Sequence, residues 1–286
     1  MLNNISFGQY YPSSSVIHRM DGRTKILLTL TFIVFIFVAS NAAALIFLGV
    51  VLTSVLLMSG VPFKQYLKNI KPIIPIILLT SVLNLFYVSG GTLVLSFWKI
   101  NIYSQGIITA VYIAARIIML IICSTVMTYT TTPTDLTDSI EKLLSPLKVF
   151  RIDIHSLAMM MSIALRFVPT LIEETQKIMA AQKSRGADIE SGGIISRVKA
   201  LIPIIIPLLI SSFRRAMELA DAMECRCYHG GKGRTRLKQM RFTRYDAFAA
   251  IFFVLVLVGL IFIVKFLDGS VYSAFSGIVA YIRGLV

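Results

Sequence analysis

The sequence predicts an all-α polytopic membrane protein with about five transmembrane helices and a cytoplasmic domain of long crossed helices. Three observations predict it. Of 286 residues, 56% are hydrophobic and 15% charged, with a mean hydropathy of +0.80, whereas soluble domains carry about 25% charged residues. Several runs of near-membrane length hold no charge or a single one, as an α-helix needs to cross about 30 Å of hydrocarbon at 1.5 Å per residue. The 28 Lys and Arg outnumber the 14 Asp and Glu and collect on alternate sides of these runs, as the positive-inside bias requires. Cys123, Cys225 and Cys227 are too few and too unevenly placed for a disulfide framework and read as reduced thiols.

The uncharged run Ile26 to Met58 is too long for one helix and divides at Ser40-Asn41, a polar pair suited to a tight hairpin. The third span, Ile73 to Val88, carries Pro72 and Pro75 at its first turn, where a missing N–H costs least. The fourth, Gly106 to Tyr129, contains Arg116, which is expensive in lipid and must face protein or reach an interface. The fifth is Ala247 to Phe266. Arg19, Arg23 and Lys25 before span one, and Lys64, Lys68 and Lys71 before span three, place the N-terminus in the cytoplasm and the C-terminus outside. The opposite loops hold only Lys99, with Trp98 and Tyr103 as interfacial anchors. Met1 to Tyr11 has no basic n-region followed by an apolar core, so no secretory signal is expected.

Residues 1–129 thus form an N-terminal membrane part, 130–245 a cytoplasmic helical domain, and 246–286 the last span and tail. The middle segment holds 18 of the 28 bases and 11 of the 14 acids, yet it is studded with apolar runs, which sets it at the membrane boundary. Three helices are expected there. The first is short and amphipathic, opening at Thr132-Pro133 and ending near Ser145-Pro146. The second starts after Asp153 and runs to Arg185, kinked at Pro169 and closed by Gly186 in a left-handed cap. The third passes from Leu201 to Arg226 before Gly230-Gly231 end it. Both long helices are apolar at one end and polar at the other, and both deliver an Arg to the polar end. A cation at a helix C-terminus is favoured by the dipole alone, so simple capping competes with a docking role.

The remaining motifs have plain readings. Cys225-x-Cys227-x-His229 lacks a fourth ligand and sensible spacing for zinc, so no metal is expected. Gly230 to Thr235 misses the Walker A spacing, so the chain itself should not hydrolyse ATP. The bases from Lys232 to Arg244 read as an anchor to anionic lipid rather than a nucleic-acid surface. Met159-Met160-Met161 is equally core or an adaptable contact surface. The run with Pro203, Ile204 and Pro207 either dips into lipid or cups a partner. His18 and His155 read as interfacial or capping residues, and no paired-carboxylate or Ser/His/Asp site is seen.

Four stretches carry a specific likeness: Ser15 to Lys25, Leu165-Arg166-Phe167-Val168-Pro169 with Glu173-Glu174, Gln182 to Ala187, and Ala222 to Tyr228. With them the chain resembles the transmembrane (T) component of energy-coupling factor transporters, whose signature is a pair of Ala-Arg-Gly-like tripeptides on coupling helices. Here the tripeptides are Ser184-Arg185-Gly186 and Cys225-Arg226-Cys227, with small residues in place of the commonest Ala and Gly. The resemblance implies a non-catalytic scaffold in the bacterial cytoplasmic membrane, partnered by two ABC ATPase subunits, a small substrate-binding (S) membrane subunit and the lipid bilayer. No cofactor is bound directly, ATP is used by the partner subunits, and no nucleic acid is involved. Arg185 and Arg226 would each dock on one ATPase, and Met159, Met160, Met161, Pro203, Ile204 and Pro207 would meet the substrate subunit during vitamin or metal-ion uptake. The rival readings are a conventional importer permease that lines the substrate path, a membrane-embedded enzyme, and a scaffold without an ATPase partner.

Overall fold

The computed structural model describes residues 10–88, 90, 93–97, 100–146, 153–187, 193–230 and 242–266. They form two compact units, 10–132 with 242–266, and 133–230. Helices carry both, as the all-α reading expects.

In the first unit α1 (Gly22–Val38) and α2 (Ala42–Ser59) are separated at Ala39 to Asn41, where the polar pair was expected to turn. Gly60 ends α2 in the left-handed region, φ 68°. The third span is longer than Ile73 to Val88: α3 (Phe63–Ile70) leads through a 3₁₀ turn at Lys71–Ile73 into α4 (Ile74–Tyr87). Pro72 and Pro75 fall where the two segments join, so neither interrupts a regular interior. The following loop, which sequence patterning left without structure, contains the antiparallel strands β1 (Leu93–Phe97) and β2 (Ile100–Tyr103), with Phe97 opposite Ile100. Trp98 and Lys99 lie outside the described residues. α5 (Ser104–Thr130) returns against α4. A Cβ at Gly106 would stand 3.2 Å from the Leu85 carbonyl oxygen and 3.3 Å from that of Val88, so the α4–α5 approach depends on a residue without one.

After α5 the first unit resumes with α9 (Arg244–Phe266). Phe32, Phe35 and Ile36 of α1, Leu45, Leu48 and Leu52 of α2, Met119 and Cys123 of α5, and Val256 and Leu260 of α9 make one buried cluster. Polar ties close the helix ends around it. Asp21 caps α1 by accepting from the Arg23 N–H at 3.0 Å. Its own N–H donates to Asp246 Oδ1 at 2.9 Å, while Asp246 Oδ2 accepts from the Thr243 N–H at 2.7 Å. One carboxylate therefore joins the starts of α1 and α9. Lys25 Nζ donates to the carbonyl of Thr130, at the end of α5, at 2.7 Å. Arg116 resolves as facing protein: Nη2 donates to the Ala39 carbonyl at 2.8 Å and to the Tyr112 hydroxyl at 3.0 Å. The Tyr112 hydroxyl also donates to Ala39.

The second unit contains α6 (Pro133–Leu144), α7 (Ile154–Ser184) and α8 (Ile194–Cys225). α6 opens on Pro133 with Asp135 in its first turn, as expected. His155 Nδ1 meets Glu141 Oε1 at 3.2 Å and ties α7 to α6. Asp153 caps α7 by accepting from the Ser156 N–H.

Among the described residues six stretches are long and apolar enough to cross a membrane: Ala42–Ser59, Phe63–Tyr87, Ser104–Thr130, Ile154–Ser184, Val198–Cys225 and Arg244–Lys265. The count of about five included α1, which has 17 residues, and left out α7 and α8. Both have charged C-terminal halves, yet each contains a stretch that qualifies as a span by length and composition. Gly192, the bases 232–241 with the Gly231 to Thr235 loop, and the tail beyond 266 lie outside the described residues.

Two tests follow from these ties. Asp246→Ala strands two backbone N–H groups and should cost about 2–4 kcal/mol, read as a lowered thermal midpoint of the purified chain in detergent. His18 donates from Nε2 to the Tyr11 carbonyl at 2.9 Å and accepts from the Ser15 hydroxyl at 2.7 Å, a neutral ring whose pKa burial lowers. Its contribution is present above the ordinary histidine pKa of about 6.5 and lost as pH falls through the lower folded value. The midpoint should therefore drop on acidification, with a shallower slope in His18→Asn.

Candidate functional site

The two Arg-bearing tripeptides lie on helix tips built alike. Arg185 is the C-cap of α7, and Gly186 follows at φ 82°. The Ala187 N–H donates to the Gln182 carbonyl and the Gly186 N–H to that of Lys183, both at 3.0 Å. Arg226 is the C-cap of α8, and Cys227 follows at φ 54°. The Tyr228 N–H donates to Met223 at 3.0 Å and the Cys227 N–H to Glu224 at 2.9 Å. Each is a Schellman closure, six-to-one plus five-to-two. The expectation that Gly230-Gly231 end the third helix is corrected: the helix closes three residues earlier, on Cys227.

The carbonyls of Gln182 and Lys183 in α7 and of Met223 and Glu224 in α8 are thus met by backbone N–H groups. Ser184, Arg185 and Gly186 are exposed, as are Cys225, Arg226 and Cys227. Among the described residues no cluster of His, Cys, Asp and Glu is placed to hold a metal ion.

Side chains fix how the two arms run. Glu174 on α7 and Arg215 on α8 pair at 2.7 Å, and Gln182 Nε2 donates to the Pro203 carbonyl at 3.5 Å. Moving forward along α7 from Glu174 to Gln182 means moving back along α8 from Arg215 to Pro203, so the helices are antiparallel here. Arg185 lies just past Gln182, whereas Arg226 is about 34 Å along α8 beyond Pro203 in the opposite sense. The structure does not bring the two arginines together; it points them apart.

Gln182, Glu174 and Arg215 are the residues whose roles sequence reasoning missed. Gln182 has a signal in hindsight: Pro207 has no N–H for the carbonyl four residues back, which is Pro203, and Gln182 supplies the donor. The proposed contact residues divide. Met160, Met161, Pro203 and Pro207 are exposed and Met159 half-buried, but Ile204 is 3% exposed. Among the described residues an open apolar surface of this unit runs along α8, where Val198, Ile202, Ile205, Leu209, Phe213 and Met217 recur at three- and four-residue spacing and are all exposed.

The two tips differ in the residue at the left-handed position, where a side chain costs about 1 kcal/mol. Cys227→Gly should tighten the α8 tip and Gly186→Ala should loosen that of α7. Nothing stands within 4 Å of a Cβ at Gly186, so strain alone is tested. The readout is amide exchange at Tyr228 and Ala187, slower in the first variant and faster in the second by about fivefold.

Comparison with known proteins gives a consistent result. Residues 13–237 match the family model described as CbiQ, cobalt transport protein. The chain is 49% identical over 252 residues to an energy-coupling factor transporter transmembrane protein EcfT of Clostridium kluyveri, covering 88% of this chain and 93% of that one. It is 48% identical over 246 residues to the EcfT of Ruminiclostridium cellulolyticum, covering 86% and 92%. To that of Bacillus subtilis it is 41% identical over 265 residues, covering 93% and 100%. A membrane body of long apolar helices, two matching Arg-capped tips and these relatives along nearly the whole chain lead to one conclusion: the chain belongs to the EcfT/CbiQ family of energy-coupling factor transporter transmembrane proteins.

Proposed function

We propose that the chain transmits ATP-driven movement of two ABC ATPase subunits to a small substrate-binding membrane subunit, for uptake of a vitamin or a metal ion. The observation that carries this is the pair of Arg-capped tips, alike in closure and directed apart. Each presents a guanidinium, five donors in a fixed fork, to a partner in the cytoplasm. Two ATPase subunits offer two equivalent docking grooves, and antiparallel arms reach two separate grooves where parallel arms would crowd one. Closure of the ATPases then moves the tips, and the Glu174–Arg215 and Gln182–Pro203 ties make α7 and α8 move as a pair.

The substrate subunit is assigned to the exposed apolar stripe of α8 with Met160 and Met161 of α7. Flexible methionine suits re-packing against partners of different surface. Ile204, being buried, is left out of this contact. In this arrangement the N-terminus and both tips lie on the cytoplasmic side, and ATP is bound and hydrolysed by the partners.

Charge reversal tests the reading. Tagged wild type and Arg185→Glu with Arg226→Glu are extracted from native membranes in a gentle detergent, and co-purifying proteins are identified by mass. Wild type should bring down two ATPases and a small apolar membrane protein; the double variant should lose the ATPases while still reaching the membrane. Retention of both ATPases by the double variant would sink the assignment of Arg185 and Arg226.

A further inference from the structure

The membrane unit encloses a partly open cavity of about 280 Å³ beside α1, α5 and α9. One end is polar: Lys25 and Thr130 line it, next to Met20 and Tyr245. The other is wholly apolar, with Phe32, Cys123 and Phe253 among its walls. Lys25 to Phe32 on α1, and Tyr245 to Phe253 on α9, each span about 10–12 Å of helix. Phe248 and Phe252 line the cavity and are themselves exposed, so it opens to the outer surface of the unit.

The polar end lies where α1 begins, α5 ends and α9 begins, that is, at one boundary of the hydrocarbon. Cations gather there. Arg19 stands between the lining residues Ile17 and Met20, Arg244 directly precedes Tyr245, and Lys25 is in the wall. With Arg23, four cations face two carboxylates, Asp21 and Asp246. Asp21 pairs with Arg23 at 2.7 Å, and Asp246 accepts from two backbone N–H groups. Among the described residues Arg19 and Arg244 have no ion-pair partner, and both are exposed.

We propose that this cavity binds an acyl chain of an anionic phospholipid, whose phosphate is held at its mouth by the positive charge of Arg19, Lys25 and Arg244. A protein helix, 10–12 Å across, does not enter a space of this volume, and the apolar walls give water no partners. Part of a single acyl chain fits and buries its methylenes against the apolar walls. Basic pockets between membrane helices hold anionic headgroups by the same electrostatics.

The test uses the full chain with Trp98→Phe and Phe248→Trp, so that its single tryptophan lines the cavity, reconstituted in phosphatidylcholine. Dibromo-phosphatidylglycerol or dibromo-phosphatidylcholine is then added in steps. Phosphatidylglycerol should quench at a mole fraction roughly tenfold lower, and Ala249→Leu, which fills the cavity, should weaken that quenching. Because a filled cavity could misfold, the exposed pair Arg19→Gln with Arg244→Gln decides: it should abolish the preference with the helical circular dichroism unchanged. Equal quenching by the two lipids, a preference that survives removal of both arginines, or equal quenching by dibromo-oleate each overturns the proposal.

Discussion

Hydrocarbon supplies no water, so backbone groups freed at helix ends must find partners within the chain, each orphan costing several kcal/mol. Three polar ties of the membrane unit meet that need. Lys25 serves the last carbonyl of α5, Arg116 and Tyr112 serve the carbonyl that closes α1, and Asp246 serves the N–H of Asp21. Each tie also joins two helices distant in sequence. The apolar cluster gives α1, α2, α5 and α9 their attraction, and the ties fix where along each other they stop.

The same rule operates between α7 and α8 with different materials. Proline inside a helix removes a donor. α8 nevertheless runs through Pro203 and Pro207 as one helix, and the carbonyl that Pro207 abandons is met from α7 by Gln182. The defect in one helix thus becomes a point of attachment for the other. Together with the Glu174–Arg215 ion pair, part-exposed and worth little by itself, it gives the two arms a defined antiparallel register. That register, more than either tip alone, determines that Arg185 and Arg226 face different directions.

Much of this was legible in the sequence because it rests on local rules. The hairpin at Ser40-Asn41, the proline-started α6, the Asp153 cap and the Gly186 closure each follow from one or two residues whose backbone preferences dominate. The Cys227 closure was not legible, since no local rule favours cysteine at positive φ and the nearby Gly230-Gly231 is the better textual candidate. The hairpin at 93–103 was hidden because its strands are short and lie between longer apolar runs. Gln182, Asp246 and Arg116 acquire their roles from partners far away in the chain, and no window of sequence contains both ends of such a bond. The apolar length of α7 and α8 was hard to read for another reason: each is apolar at one end and charged at the other, so a composition averaged over the helix describes neither half.

The two units differ in what they leave unfinished. In the membrane unit Lys25, Arg116 and Asp246 turn inward to helix ends, and many large apolar side chains remain exposed. In the α7–α8 pair both C-terminal tips are closed by backbone bonds, yet two guanidinium groups and an apolar stripe remain open. The Schellman closures meet the carbonyls of Gln182, Lys183, Met223 and Glu224 from the backbone, while the helix dipole favours the two cations where they stand. Packing within the pair does not use the stripe, whose members from Val198 to Met217 stay exposed. A solvated surface explains the charges, and lipid explains the stripe, since Val198–Cys225 is long and apolar enough to cross a membrane. The coupling role proposed above draws on both, with polar partners at the two tips and an apolar partner along the length between them.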